Sequence, residues 1–239
     1  MIYITGDIHG DFRDLIAFSE AHELTSEDII IILGDVGANY YLHGRDQDTK
    51  KKAARIPATI FCIHGNHEAR PQSLPDLYRE ANWHGGTVFV EDAFPNLLFA
   101  KDGEVYDFGG FSTIVIGGAY SVDAEWRRMN GWSWFPDEQP NAATKAHVEE
   151  VLSARGWEVD IMLSHTCPAK YTPTEAYFEG IDQSKVDKST ENWLDTIEDR
   201  LYYQRWYCGH WHINKHIDRM DFLFGDVETF AQGLEPEAG

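Results

Sequence analysis

Seven side chains able to hold a metal ion stand at the ends of five short apolar runs: Asp7 and His9, Asp35, Asn66, His165, and His210 with His212. Imidazole, carboxylate and one amide, with no thiolate among them, suit manganese, iron or zinc better than a purely oxygen-ligated calcium or magnesium site. Seven donors exceed what one ion of ordinary coordination takes. Two ions sharing a carboxylate use the set economically, at the separation of about 3.5–4 Å usual in two-metal hydrolytic sites. Asp35 is the natural bridge.

Donors so far apart in sequence need elements that bring them together. Ile2-Tyr3-Ile4, Ile29 to Leu33, Thr59 to Ile63, Ile161 to Leu163 and Trp206-Tyr207-Cys208 read as buried strands, each feeding a loop that carries Gly or Ser. Side by side in one sheet, their C-terminal ends share an edge, where open α/β sheets bind ligands. If the backbone stays extended past the strand, Asp7 and His9 leave one face, and His210 and His212 repeat the spacing. Phe12, Leu15, Ile16 and Phe18 recur at helical spacing between Asp11 and His22. The basic stretch from Arg45 to Arg55 reads as the helix before the third strand, which Pro57 delimits.

Further on, Thr87 to Val90, Leu97 to Ala100, Val105 to Phe108 and Ser112 to Ile116 are closely spaced strands without an intervening helix. Asn141 to Arg155 reads as a helix, and Ile213 to Ile217, Phe222 to Phe224 and Val227 to Phe230 close the chain as strands. The layout predicts two sheets packed face to face with helices outside, as one domain over residues 1–232 followed by a polar tail over 233–239.

A formal charge of −20 over 239 residues repels polyanions, so no stable complex with nucleic acid or an anionic membrane is expected. A phosphate substrate then needs local positive charge, which bound divalent cations supply. Cys62, Cys167 and Cys208 are too few and too scattered for a secreted disulfide framework. Without a signal-peptide pattern or a run long enough to span a bilayer, the expected setting is the cytoplasm. Oligomeric state leaves no trace in the sequence.

Taken together, Gly6-Asp7-Ile8-His9, Gly34-Asp35, Gly65-Asn66-His67-Glu68, Ser164-His165 and Gly209-His210-Trp211-His212 resemble the ordered motif set of calcineurin-like metallophosphoesterases. Any one of these motifs alone could be an ordinary turn, but five in order from residue 6 to residue 212 are far more specific. The resemblance implies an αββα sandwich of two mixed β-sheets flanked by helices. It implies Asp7, His9, Asp35 and His212 around one metal, with Asp35, Asn66, His165 and His210 around the other. Manganese is the foremost metal, with iron or zinc as alternatives. The implied activity is hydrolysis of phosphate mono- or diesters by a metal-bridging hydroxide. His67, one residue past Asn66, faces the substrate as general acid, a role that imidazole chemistry and the resemblance both give it.

One departure stands out. Protein phosphatases of this superfamily carry an acidic residue and an arginine soon after the second motif, where this chain reads Val36-Gly37-Ala38-Asn39-Tyr40-Tyr41. Arg45, Arg70, Arg127 and Arg128 could replace that arginine, although each reads first as a solvated surface charge. The segment from Tyr120 to Phe135 is dense in Trp and Arg and is expected to line one wall of the cleft, with Tyr120, Trp126 and Arg127 contacting a phosphorylated small molecule or nucleotide. His22, His43, His84, His147 and His216 are expected on the surface or in packing roles, whereas His64 could support a ligand from behind. Two other readings remain open: a non-catalytic metal-binding interaction module of the same fold, and a nucleotide phosphodiesterase.

Overall fold

From Ile29 to Leu33 every residue is apolar and buried, because both faces of this strand are covered. Ile29, Ile31 and Leu33 belong to one apolar cluster, and Ile30 and Ile32 to another, the period-2 alternation of a strand sandwiched between two layers. A computed structural model describes residues 1–236; residues 237–239 of the expected tail lie outside the described residues. In chain order the elements are β1 (Ile2–Thr5), α1 (Arg13–Ala21), β2 (Ile29–Ile32), α2 (Gly44–Ala53), β3 (Thr59–Cys62), β4 (Arg79–Trp83), β5 (Gly86–Val90), β6 (Leu97–Ala100), β7 (Val105–Phe108), β8 (Phe111–Ile116), α3 (Ala124–Met129), α4 (Ala142–Ala154), β9 (Ile161–Ser164), α5 (Ser189–Glu198), β10 (Arg205–Cys208), β11 (Lys215–Ile217), β12 (Met220–Phe222) and β13 (Glu228–Thr229).

They form two mixed sheets. One has the order β13-β1-β2-β3-β6-β5-β4, the other β11-β12-β10-β9-β8-β7. The first is parallel from β1 to β6 and antiparallel at its flanks. The second is parallel from β12 to β8, with β11 and β7 antiparallel at its edges. Ile31, Phe61 and Ile63 of the first sheet meet Val115, Leu163 and Tyr207 of the second in the apolar layer between them. Leu15 and Ile16 of α1 cover the outer face of the first sheet, and Val148 of α4 with Leu194 and Ile197 of α5 cover that of the second. This is the expected αββα sandwich.

Three points differ from the sequence reading. The donor-bearing loops leave two sheets, since β1, β2 and β3 lie in the first while β9 and β10 lie in the second; the shared rim is the common end of both. β11 and β13 are shorter than expected, and β12 lies two residues earlier, ending at Phe222 where the chain turns toward the first sheet and Phe224 bridges Asp7. Finally, β4, α3 and α5 were not expected. No helix among the described residues is long and apolar enough to cross a membrane.

Candidate metal centre

The glycines of the motifs lie where the donors need room. A Cβ on Gly209 would stand 2.3 Å from Asp7 Oδ1, and one on Gly65 would stand 2.0 Å from Asp35 Oδ1. Each close approach is fixed by a hydrogen bond from the same loop. The His210 backbone N–H donates to Asp7 Oδ1 at 2.8 Å, and the His67 backbone N–H donates to Asp35 Oδ1 at 2.8 Å. Each carboxylate therefore keeps its other oxygen for a further partner.

His9, Asp35, His210 and His212 all have left-handed backbone, with φ of 47°, 47°, 66° and 50°. This corrects the expectation of an extended chain at Asp7-x-His9 and His210-x-His212. The strands have ended, and the loops interlock instead, with His9 N–H donating to the Asp35 carbonyl and Gly10 N–H to the Val36 carbonyl, both at 2.8 Å. Non-glycine residues held there cost about 1–3 kcal/mol each and cluster at functional sites.

Asp7, His9 and His212 bring one donor atom each within 4.8 Å of one another, as do Asp7, Asp35 and His165, and His9, Asp35 and His67. In the first group His212 Nε2 lies 3.2 Å from Asp7 Oδ2 and 3.0 Å from His9 Nε2. On the other side Asn66 Oδ1 lies 2.9 Å from His165 Nε2 and 3.0 Å from His210 Nδ1. Asp35 Oδ1 is 3.7 Å from His165 Nε2, and Asp35 Oδ2 is 3.9 Å from His9 Nδ1. Asp35 thus touches both groups, and all seven predicted donors converge.

The donor chemistry fits divalent cations. Hydrogen bonding from His165 Nδ1–H to the Leu33 carbonyl at 2.7 Å leaves Nε2 as the ring nitrogen that faces the other donors. Asn66 donates its Nδ2 to Ser121 Oγ at 2.8 Å, which turns its carbonyl oxygen toward that nitrogen. Two ligand atoms that face each other this closely are placed to share a cation. Burial, reinforced by His165, brings His210 down to about 3, which leaves that ring neutral and able to ligate. Burial would raise Asp35, but His165, His67 and His9 outweigh it and hold the carboxyl below the usual range.

His67 is half-buried beside this cluster, and the guanidinium of Arg127 lies against its ring. Burial lowers the His67 pKa, Asp35 opposes that, and Arg127 adds to it. Arg127 itself is 1% exposed, which corrects its reading as a solvated charge. Its Nε donates to Asp123 Oδ2 at 2.8 Å, while its buried Nη1 has no hydrogen-bond partner among the described residues. Arg70 is also buried, donating to the Asp137 carbonyl at 2.7 Å and to Asp102 Oδ2 at 2.5 Å. It ties loops together away from the donors. Arg45 and Arg128 are exposed, Arg128 stacking 3.5 Å over Trp134.

Of the expected substrate contacts, Tyr120 lines the cavity over Asp35, Asn66 and His67, about 290 Å³ in volume, together with Val122 and Asp123. Trp126 does not face it as expected. Its position on α3 turns the indole outward, where it is half exposed and meets Trp132 edge-on at 4.6 Å. His64 is buried with neither ring nitrogen hydrogen-bonded among the described residues, so it supports no ligand through a hydrogen bond. His22 packs on Phe18, and His84 on Trp83, as expected.

Two contributors had no assigned role in the sequence reading. Glu68, buried within the third motif, accepts the backbone N–H of Gly65, Val36 and Gly37, stapling the Asn66 loop to the Asp35 loop. Burial, with Asp35 nearby, raises its carboxyl to about 8. Its place two residues after Asn66 was a usable signal. Ser121, which orients Asn66, sits in a loop that no motif marks.

The sequence model of calcineurin-like phosphoesterases matches residues 1–214. Among curated proteins, none matches the sequence. The structure resembles that of TT1561 of Thermus thermophilus, with a TM-score of 0.53 and 15% identity over 93% of this chain and 87% of that one. It also resembles the phosphopantetheinyl hydrolase PptH from Mycobacterium tuberculosis, with a TM-score of 0.47 and 16% identity over the same shares, 93% and 87%.

Proposed function

Because the chain belongs to the calcineurin-like phosphoesterase family, we propose that it hydrolyses a phosphate mono- or diester, with Asp7, His9, Asp35 and His212 holding one divalent cation and Asp35, Asn66, His165 and His210 the other. The observation that carries this reading is the convergence of seven oxygen and nitrogen ligand atoms around Asp35 and Asn66. When bound, two such cations supply charge neutralisation at phosphorus and activation of the attacking water. Manganese is the preferred metal, with iron or zinc as alternatives, and three buried free thiols support a reducing, cytosolic setting.

The chain's own groups do the rest. Arg127 replaces the arginine absent after Asp35: its buried, unpartnered Nη1 is a donor waiting for a phosphoryl oxygen. Held beside Asp35 by its backbone N–H, His67 gives a proton to the departing oxygen, a contribution usually worth about 10²–10⁴-fold. A buried Nη1 without a partner, on an arginine already held by Asp123, favours the hydrolase over an interaction module without catalysis.

The test uses protein loaded with Mn²⁺ and aryl phosphate esters with graded leaving groups. Turnover should vanish with chelator, and His67→Gln should keep the metals but slow poor leaving groups far more than good ones. No turnover with any of the three metals, or an equal loss across the series, would count against the hydrolase and the proton donor respectively.

A further inference from the structure

The cavity over the metal-ligating side chains continues sideways. Tyr120, Val122, Phe178, Ile181, His210 and His212 line both that cavity and an adjoining recess of about 80 Å³. Beyond these shared residues the recess is walled by Tyr177, Val186 and Trp211, with Glu191 as its buried polar group. Its outer wall is the segment after β9, built on single 3-10 turns at Ala169–Tyr171, Thr174–Ala176 and Gln183–Lys185. Phe178, although apolar, is 66% exposed beside it, a ring placed at the mouth rather than in the core.

Two features set what fits. Glu191 is buried, and its Oε1 accepts the Thr166 hydroxyl at 3.0 Å. Its other oxygen, Oε2, is fully buried without a hydrogen-bond partner among the described residues, and a buried acceptor left so costs about 1–3 kcal/mol. A ligand that donates to it removes that cost. The second feature is contrast. His67 also borders an open cleft of about 530 Å³ lined by Tyr40, Tyr41, Arg45, Asp48 and Lys52, a wider and more polar surface than the recess.

We propose that the recess holds the organic group of the phosphoester, a group of single-ring size with apolar faces and one hydroxyl or amino hydrogen directed at Glu191. This rests on the hydrolase reading for the phosphate end. It assigns the two sides of the centre: the organic group toward His210 and His212, and the water-facing remainder toward His9 and Arg45. Apolar burial on this scale, one ring removed from water, is worth about 10–100-fold in affinity.

The test is calorimetric binding of methylphosphonate, phenylphosphonate and (hydroxyphenyl)phosphonates to the metal-loaded chain, alongside turnover of the matching esters. Phenylphosphonate should bind at least about tenfold tighter than methylphosphonate, and one hydroxyphenyl isomer tighter still. Val186→Gln, on the half-buried wall of the recess alone, should erase the phenyl preference while leaving methylphosphonate unchanged. Glu191→Leu should erase only the hydroxyl increment. Equal affinity for phenyl and methyl compounds, or a phenyl preference untouched by Val186→Gln, would overturn the assignment. A chain that shows the preference yet turns over no ester would sink the hydrolase reading and keep the recess; one that turns over esters regardless of the organic group would do the reverse.

Discussion

The two donor groups that meet at Asp35 are built differently. Around Asn66 and His165 the side chains are largely sealed: His165 is 0% exposed, its ring pinned by a main-chain carbonyl on one side and an amide on the other, and of this group only His210 is half-buried. Around Asp7 the carboxylate is equally buried, but its two histidines, His9 and His212, are 37% and 38% exposed and touch chiefly each other and the acid. One group is part of the packed core between sheet ends. The other is a rim whose imidazoles face solvent on one side, with His212 stacked on Phe224 at 4.5 Å. A sealed group couples metal binding to folding, whereas an open one couples it to solvent and exchange.

The change that should erase the contrast altogether is Asp35→Asn, because this residue belongs to both groups. Elemental analysis of the variant should show loss at both sites, and turnover should fall to background. Loss of a single ion would mean that the groups are independent.

His165→Ala against His212→Ala is the sharper comparison. Each should remove about one ion. In chelated protein, however, His165→Ala should lower the melting temperature more, since it opens a hole in the core and leaves the Leu33 carbonyl unpaired there. A buried unsatisfied group costs about 1–3 kcal/mol, or roughly 2–12 °C for a chain of this size. His212→Ala should shift it less, because the Asp7 carboxylate that loses this partner still accepts the His210 backbone N–H. Working without metal matters, because bound ions add their own stabilisation. Equal shifts would show that the exposed histidines also carry structure.

The same contrast explains what the sequence could reveal. Asp7, Asp35, Asn66, His165, His210 and His212 were legible because each follows an apolar run and sits beside a small residue that close approach requires, as at Gly65 and Gly209. Strands buried on both faces announce themselves by unbroken apolar runs such as Ile29 to Leu33. β4 does not, since Arg79-Glu80-Ala81-Asn82-Trp83 lies at the sheet edge and marks its inner face with Ala81 and Trp83 alone. α5 carried the spacing of Trp193, Leu194 and Ile197 but followed a long polar stretch that hid its start. Arg127 reads as solvated because a charge in a short helix usually points to water. Asp123 is its neighbour by helical spacing, but only the fold brings His67 against it.

Arg127→Ala should then act on substrate and leave both donor groups intact. Binding of a phosphonate should weaken by about tenfold or more, as expected for a lost charge-assisted contact of about 1.5–3 kcal/mol, with metal content unchanged. A parallel loss of metal would instead place Arg127 in support of the centre. Arg128→Ala, an exposed neighbour stacked on Trp134, is the control that should leave binding unaltered.

The smallest expected effect separates the groups most finely. Ser121 touches only the sealed one: its hydroxyl accepts from Asn66 Nδ2 at 2.8 Å, and its backbone N–H donates to Glu138 Oε1 at 3.1 Å. Ser121→Ala keeps the backbone contact and removes the single bond that aims the Asn66 carbonyl at His165 and His210. Lost hydrogen bonds of this kind cost about 0.5–1.5 kcal/mol in stability, so the fold should hold. Groups that orient a metal ligand typically influence affinity by about 10–100-fold. Stepwise metal titration should therefore show one weakened site and one unchanged site, and the weakened site should be the one lost in His165→Ala. Were both sites to weaken together, the two groups would form one cooperative unit through Asp35, and the difference in their burial would have no consequence for binding.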